Sequence, residues 1–312
     1  MYLPKISATF APIGIMKLDK MPKCGDEESV LKKPDWLKIR LHRDDAFAEV
    51  DRIVRRHSLH TICSSGMCPN KSECWSRKTA TFMILGEVCT RSCRFCATAT
   101  GRPLPPDPAE PQNVAESIAL MGLRHAVVTS VTRDDLPDEG AAHWAATVKT
   151  VKASNPSVTI EILIPDMHTR YDLLDVIADA GADIVGHNIE TVERLTPEVR
   201  SGAEYRRSLA TLDYLNSRGA VTKSGLMVGL GETEEEVVRT LRDLRSVGVR
   251  MVTIGQYLQP SAKHYPVAEY VTPQQFVKYR KIALDEGFDY CASAPLVRSS
   301  YLAEEGLKKI RS

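Results

Sequence analysis

Six cysteines crowd between positions 63 and 96, in two groups of three. The second group, Cys89-Thr-Arg-Ser-Cys93-Arg-Phe-Cys96, has the spacing C-x3-C-x2-C. Three thiolates from one short loop can hold three irons of a [4Fe–4S] cube, leaving the fourth iron open to a small-molecule ligand. The competing reading is zinc, but zinc usually pairs C-x2-C units and needs a fourth Cys or His. The first group, Cys63-Ser-Ser-Gly-Met-Cys68-Pro-Asn-Lys-Ser-Glu-Cys74, is spaced C-x4-C-x5-C. It could bind zinc, lie in the core, or hold a second cube with a fourth ligand from elsewhere. Gly66, Pro69 and Asn70 argue for a loop rather than a packed helix. In a chain of 312 residues with no export signal, such density points to metal binding or catalysis rather than a disulfide framework. Cys24 and Cys291 match neither motif and read as structural.

The elements that must carry these groups are legible in the periodicity. Residues 44–56 look helical, with Phe47, Val50 and Val54 on one face. From residue 80 onward, short apolar runs alternate with amphipathic helices. The predicted strands are 81–87, 125–131, 159–164, 183–189, 221–228 and 251–258. Helices end at Gly122, Gly219, Gly248 and Gly287. One opens with the capping box Thr233-Glu-Glu-Glu236, another with Thr272-Pro273. Six such units argue for a parallel sheet with helices outside, because parallel strands need crossover connections. The strands are nearly continuous apolar runs, which suits burial on both faces. A partial barrel and a doubly wound sheet both satisfy this pattern, and six units are too few for a closed eight-stranded barrel. The expected class is α/β, a partial (β/α)6 TIM-like barrel with N- and C-terminal extensions. Its parts are an N-terminal extension (1–55), a first-cysteine loop (56–79), a core (80–258) and a C-terminal extension (259–312).

The second cysteine group directly follows the first core strand, at the sheet edge where parallel α/β proteins bind ligands. Other strand ends carry polar residues. Thr129, Ser130 and Thr132 to Asp135 follow the second strand, and Arg133, Asp134 and Asp135 there read as a self-paired solvated loop. His187, Asn188 and Glu190 follow the fourth, with Arg200 close behind. His187 reads as a satisfied structural histidine. Gly229-Leu-Gly231-Glu232 reads equally as a tight turn or as backbone that approaches a ligand.

Composition narrows the field. The 41 basic and 40 acidic residues give no long-range field for nucleic acid or an anionic membrane. No apolar run approaches the roughly 20 residues needed to span a bilayer. The first 20 residues lack the basic and apolar regions of a secretory signal, so cytoplasm is the expected compartment.

The run C-x3-C-x-aromatic-C after the first strand of a βα series resembles the radical S-adenosylmethionine superfamily. The two triplets together, with Arg298-Ser299-Ser300-Tyr301, resemble the lipoyl synthase family over roughly residues 55–303. The resemblance implies two [4Fe–4S] clusters and S-adenosylmethionine. Cys89, Cys93 and Cys96 would hold the cluster that cleaves the cofactor. Cys63, Cys68 and Cys74, with Ser300 (Ser299 as the fallback), would hold an auxiliary cluster that donates sulfur. Phe95, Asn188, Glu190 and Arg200 would contact the cofactor. The implied reaction inserts two sulfurs at carbons 6 and 8 of an octanoyl-lysine on a lipoyl carrier domain. Implied partners are that domain, an electron donor such as a flavodoxin or ferredoxin, and an iron–sulfur carrier. On the residues alone, three alternatives stay open: another radical enzyme with an auxiliary cluster, an electron carrier, and a zinc-stabilised scaffold.

Overall fold

A computed structural model describes residues 31–39, 44–300 and 305–306. Cys24, Tyr301 and the first 30 residues lie outside the described residues. Lys33–Ser312 forms one unit.

A 3-10 turn, Asp35–Leu37, precedes helix α1 (Asp45–Arg56). Asp44 caps α1 by accepting the Phe47 N–H at 2.9 Å. Strand β1 (His60–Thr61) leads into two short helices, α2 (Ile62–Ser65) and α3 (Lys71–Ser76). The first cysteine group is thus more helical than its Gly, Pro and Asn implied. Those breakers occupy only the link between the helices: Gly66 closes α2 by donating to the Ile62 carbonyl, and Asn70 precedes α3. Cys63 and Cys74 ride on the helices, and Cys68 sits in the link.

Strand β2 (Thr81–Ile84) opens the core. It is shorter than expected because Leu85 (φ 68°) and Gly86 (φ 93°) turn the chain off the ladder. The small pair β3 (Val88–Cys89) and β4 (Ala99–Thr100) pins the second cysteine loop. There follow α4 (Glu110–Met121), β5 (His125–Ser130), α5 (Ala141–Ser154), β6 (Thr159–Leu163), α6 (Tyr171–Ala178) and β7 (Ile184–Gly186). The remainder is α7 (Thr196–Val199), α8 (Tyr205–Ser217), β8 (Thr222–Val228), α9 (Glu234–Ser246), β9 (Met251–Gln256), α10 (Pro273–Asp285) and β10 (Tyr290–Ser293). All six expected strands are present, and the capping box on α9 forms in both directions.

The main sheet runs β1-β2-β5-β6-β7-β8-β9-β10. Only β1 is antiparallel. Its two edge strands do not pair with each other, so the sheet curls as an open, partial barrel rather than closing. Strand β10, within the C-terminal extension, adds to the six expected strands. Tyr290 to Ser293 pair in register with Met251 to Ile254, and Cys291 is buried there. Four residues that include Ala and Ser carry little strand signal of their own.

Helices cover the outer face. Ile118, Trp144, Val148 and Ile160 lie in the core of the first half, and Leu212, Leu241, Ile254 and Phe276 in that of the second. Towards the N-terminal ends of the strands, the lumen carries a buried ion pair: Lys223 Nζ on β8 lies 2.6 Å from Glu161 on β6. No helix among the described residues is long and apolar enough to cross a membrane.

Candidate active site

The strands' C-terminal ends open into a cavity of about 540 Å³ that reaches both cysteine groups. Cys63, Cys68, Cys89, Cys93, Cys96, Phe95, Asn188, Glu190, Arg200, Ser299 and Ser300 all line it. Cys74 lies behind the wall on α3, half-buried. Burial pushes its thiol up to about 12, and the nearby Cys63 and Cys68 add to the rise.

Backbone holds the second loop from several sides. Cys89 Sγ accepts the N–H of Arg91 at 3.4 Å and that of Thr132 at 3.3 Å. Arg94 N–H donates to the Val199 carbonyl, and the Arg94 carbonyl accepts from Tyr265. The Cys96 carbonyl accepts from His264 Nε2 at 3.1 Å, which assigns the proton to that nitrogen. Burial pushes the Cys93 thiol up to about 11, with Arg200 pulling the other way. Burial also raises Cys96 and Cys68. Metal binding here would therefore release protons.

Strand β7 ends early so that its polar residues can turn into the cavity. Glu190 stands at φ 64° and bridges to Leu226, with its N–H on the Gly225 carbonyl. Asn188 Nδ2 donates to Glu190 Oε1 at 3.1 Å and to Ser299 Oγ at 2.7 Å. Arg200 is buried and donates to the Ile189 carbonyl and to Ser208 Oγ. Burial raises Glu190, while Arg200 and Asn188 oppose that rise. Phe95 packs beside the second half's core. His187 is structural, as expected: Nδ1 reaches the Ile164 carbonyl and Nε2 the Ser208 hydroxyl, both at 2.9 Å.

The C-terminal segment is tied into the same place. Asn70 Nδ2 donates to the Leu296 carbonyl at 2.7 Å. Thr81 Oγ1 donates to Ser300 Oγ at 2.8 Å. Arg298 is half-buried where Cys68 and Glu190 both support its charge.

One sequence reading changes, and another is resolved between its two alternatives. Arg133 is not in a solvated loop: it is 2% exposed and donates to the Leu85 carbonyl and to both oxygens of Asp135. Asp134 does not join that pair but binds Arg91. Around Gly229, Glu232 accepts the Gly229 and Leu230 N–H groups, which makes the segment a tight turn. The sequence did not single out Arg91, Asp166, His264 or Asn70. Their partners lie far along the chain, and only the places of Arg91 and Asn70 inside the cysteine motifs hinted at a role.

The thiols gathered from each short segment, with the half-buried Arg298 cation beside Cys68, are a soft donor set that fits an anionic iron–sulfur cluster.

Residues 83–244 match the profile of the Radical SAM superfamily. The chain is 60% identical to the lipoyl synthase of Parabacteroides distasonis over 275 residues, covering 88% of this chain and 98% of that one. It is 58% identical to that of Bacteroides thetaiotaomicron over 278 residues, covering 89% and 99%. Among solved structures, methylornithine synthase (PylB) superposes with a TM-score of 0.52 at 14% identity, over 80% of this chain and 79% of that one. Streptococcus suis SuiB bound to its precursor peptide gives 0.55 at 9% identity, over 79% and 52%. These distant likenesses bear on the fold alone. Identity and coverage of this order across nearly the whole of its relatives' length mean that the chain belongs to the lipoyl synthase family.

Proposed function

We propose that the protein inserts sulfur at carbons 6 and 8 of an octanoyl group amide-linked to a lysine of a lipoyl carrier domain. The observation that carries this reading is that Cys89, Cys93 and Cys96, Cys63 and Cys68 of the first triplet, and the Ser299–Ser300 segment all line one cavity. When bound, two [4Fe–4S] clusters and S-adenosylmethionine supply the electron, the primary carbon radical and the sulfur.

The chain's own residues do the rest. Cys89, Cys93 and Cys96 hold the cofactor-cleaving cluster and leave one iron open. Cys63, Cys68 and Cys74 hold the auxiliary cluster. Ser300 is the favoured fourth ligand, because its hydroxyl meets Thr81 at the start of β2, shortly after the helix that carries Cys74. The Ser299 hydroxyl is instead taken up by Asn188. An alkoxide binds iron less softly than a thiolate and is easier to release. Asn188, Glu190 and Arg200 orient the polar end of S-adenosylmethionine, and Phe95 packs near its adenine. The curled sheet and the C-terminal segment wall the cavity on several sides, which limits the side chains a reactive radical can reach.

The division into residues 1–55, 56–79, 80–258 and 259–312 follows these roles. The reading also calls for a flavodoxin or ferredoxin as electron donor, an iron–sulfur carrier to rebuild the spent cluster, and a cytoplasmic setting. The test is an oxygen-free assay on an octanoyl-lysyl peptide, read by mass. Exchange of hydrogens for two sulfurs is the expected product. Cofactor cleavage with no thiolated product in the fully loaded protein contradicts the reading.

A further inference from the structure

Arg91 lies between two cysteines of the second loop, and nothing in the reaction as described uses it. Its N–H and that of Thr132 both donate to Cys89 Sγ. Hydrogen bonds to the sulfurs of an iron–sulfur centre help to set its reduction potential.

Both donors belong to one stitched unit. Thr90 N–H and Oγ1 donate to the Thr132 carbonyl at 3.1 and 3.0 Å. Asp134 N–H returns to Thr90 Oγ1 at 3.1 Å. The Arg91 side chain then fastens this unit to the barrel. Its Nε and Nη2 engage both oxygens of Asp134 at 2.8 and 2.9 Å. Nη2 also lies 2.8 Å from Asp166 Oδ1 and 3.3 Å from His168 Nε2. Asp166 is wholly buried.

Asp166 and His168 reach Arg91 from a turn that L-residues avoid. Met167, His168 and Thr169 have φ of 45°, 45° and 52° in succession. Such a run persists only where its surroundings over-determine it. Asp134, Glu139 and His168 also place ligand atoms within 4.8 Å of one another. The cation there is the guanidinium of Arg91, whose Nη2 lies beside His168 Nε2, while His168 Nδ1 faces Glu139 at 3.1 Å.

We propose that Arg91 is a positioning residue. By clamping the loop to Asp134 and Asp166, it fixes two N–H donors on Cys89 Sγ. It thereby keeps the potential of the cofactor-cleaving cluster higher than a loosely held loop would. This rests on reading Cys89, Cys93 and Cys96 as that cluster's ligands.

The test compares the anaerobically loaded wild type with Arg91→Lys and Asp134→Asn. Lysine keeps the charge but cannot bridge carboxylates as a fork. Asp134→Asn keeps Arg91 and weakens its anchor, so it stands if the first variant fails to fold. Iron content, melting temperature and the midpoint potential of the signal that responds to S-adenosylmethionine are measured. So is cofactor cleavage with a donor of fixed potential. Both variants, where they fold, are expected to keep wild-type iron while the midpoint moves negative, with any fall in melting temperature measured separately. Cleavage should slow roughly tenfold or more, and a stronger reductant should restore it. An unchanged midpoint in variants that carry full iron overturns the clamp's role, as does iron loss that accounts for the whole rate effect. A wild type with no cofactor-responsive cluster overturns the ligand reading itself.

Discussion

His187 points into a polar strand end beside the cavity, yet both its ring nitrogens are committed to the fold. The donor to Ile164 must be Nδ1–H, so Nε2 accepts from Ser208, which itself accepts from Arg200. Burial, aided by the Arg200 cation, pulls its pKa from 6.5 to about 4. The unfolded chain therefore binds more protons than the native one between those values, and stability falls as pH drops from 6.5 towards 4. A shift of that size corresponds to about 3 kcal/mol. His187→Gln should flatten the dependence of unfolding free energy on pH across that window relative to wild type, as followed by urea melts. A parallel dependence in the two proteins would show that His187 is not held neutral. At the other end of the cavity, Ser300→Ala should lower auxiliary-cluster iron and leave the cofactor-responsive signal intact, as read by Mössbauer spectroscopy. The residue types at Cys63 to Cys96 were legible because metal chemistry needs them close in sequence. Arg91 was not, because Asp166 and His168 meet it only after two further strands of the main sheet, β5 and β6, have been laid down.

At the scale of elements, helix boundaries followed caps and terminal glycines closely, as at the Thr233 capping box, while β2 and β7 stop three residues before their apolar runs do. The elements missed outright share a cause: they are too short to show a period. Strand β10 has four residues and α2 has four, and each forms because neighbouring structure offers it partners. Strand β10 matters to function, since the chain leaves it directly for the Ser299–Ser300 segment. That segment packs closely on β9. A Cβ on Gly255 would come within 2.1 Å of the Val297 carbonyl oxygen, so the backbone would have to move. Gly255→Ala should therefore displace Ser299 and Ser300. The expected result is loss of sulfur insertion with S-adenosylmethionine cleavage largely kept, measured as thiolated peptide against 5′-deoxyadenosine. Equal loss of both would place the damage in the barrel at large.

At the scale of the whole molecule, the two cysteine groups are separable in sequence but share one cavity, and the fold brings the C-terminal serines to them from over 200 residues away. Asn70 to Leu296 and Thr81 to Ser300 are the contacts that close this gap. The convergence was implied by family resemblance and could not be read from spacing, because nothing local in a Ser-Ser pair points to iron. If the two triplets serve different steps, their losses should be distinct. Replacing Cys89, Cys93 or Cys96 with Ala should abolish cofactor cleavage. Replacing Cys63, Cys68 or Cys74 should leave cleavage and remove thiolated product. The most direct measurement is iron and sulfide counting, with Mössbauer spectra, on oxygen-free reconstituted wild type and on one variant from each triplet. Two cubes, roughly eight irons per chain, are expected in the wild type and a single cube in each variant. A wild type that carries zinc or only one cube, or a first-triplet variant that still yields thiolated peptide, would contradict a division of labour between the two sites.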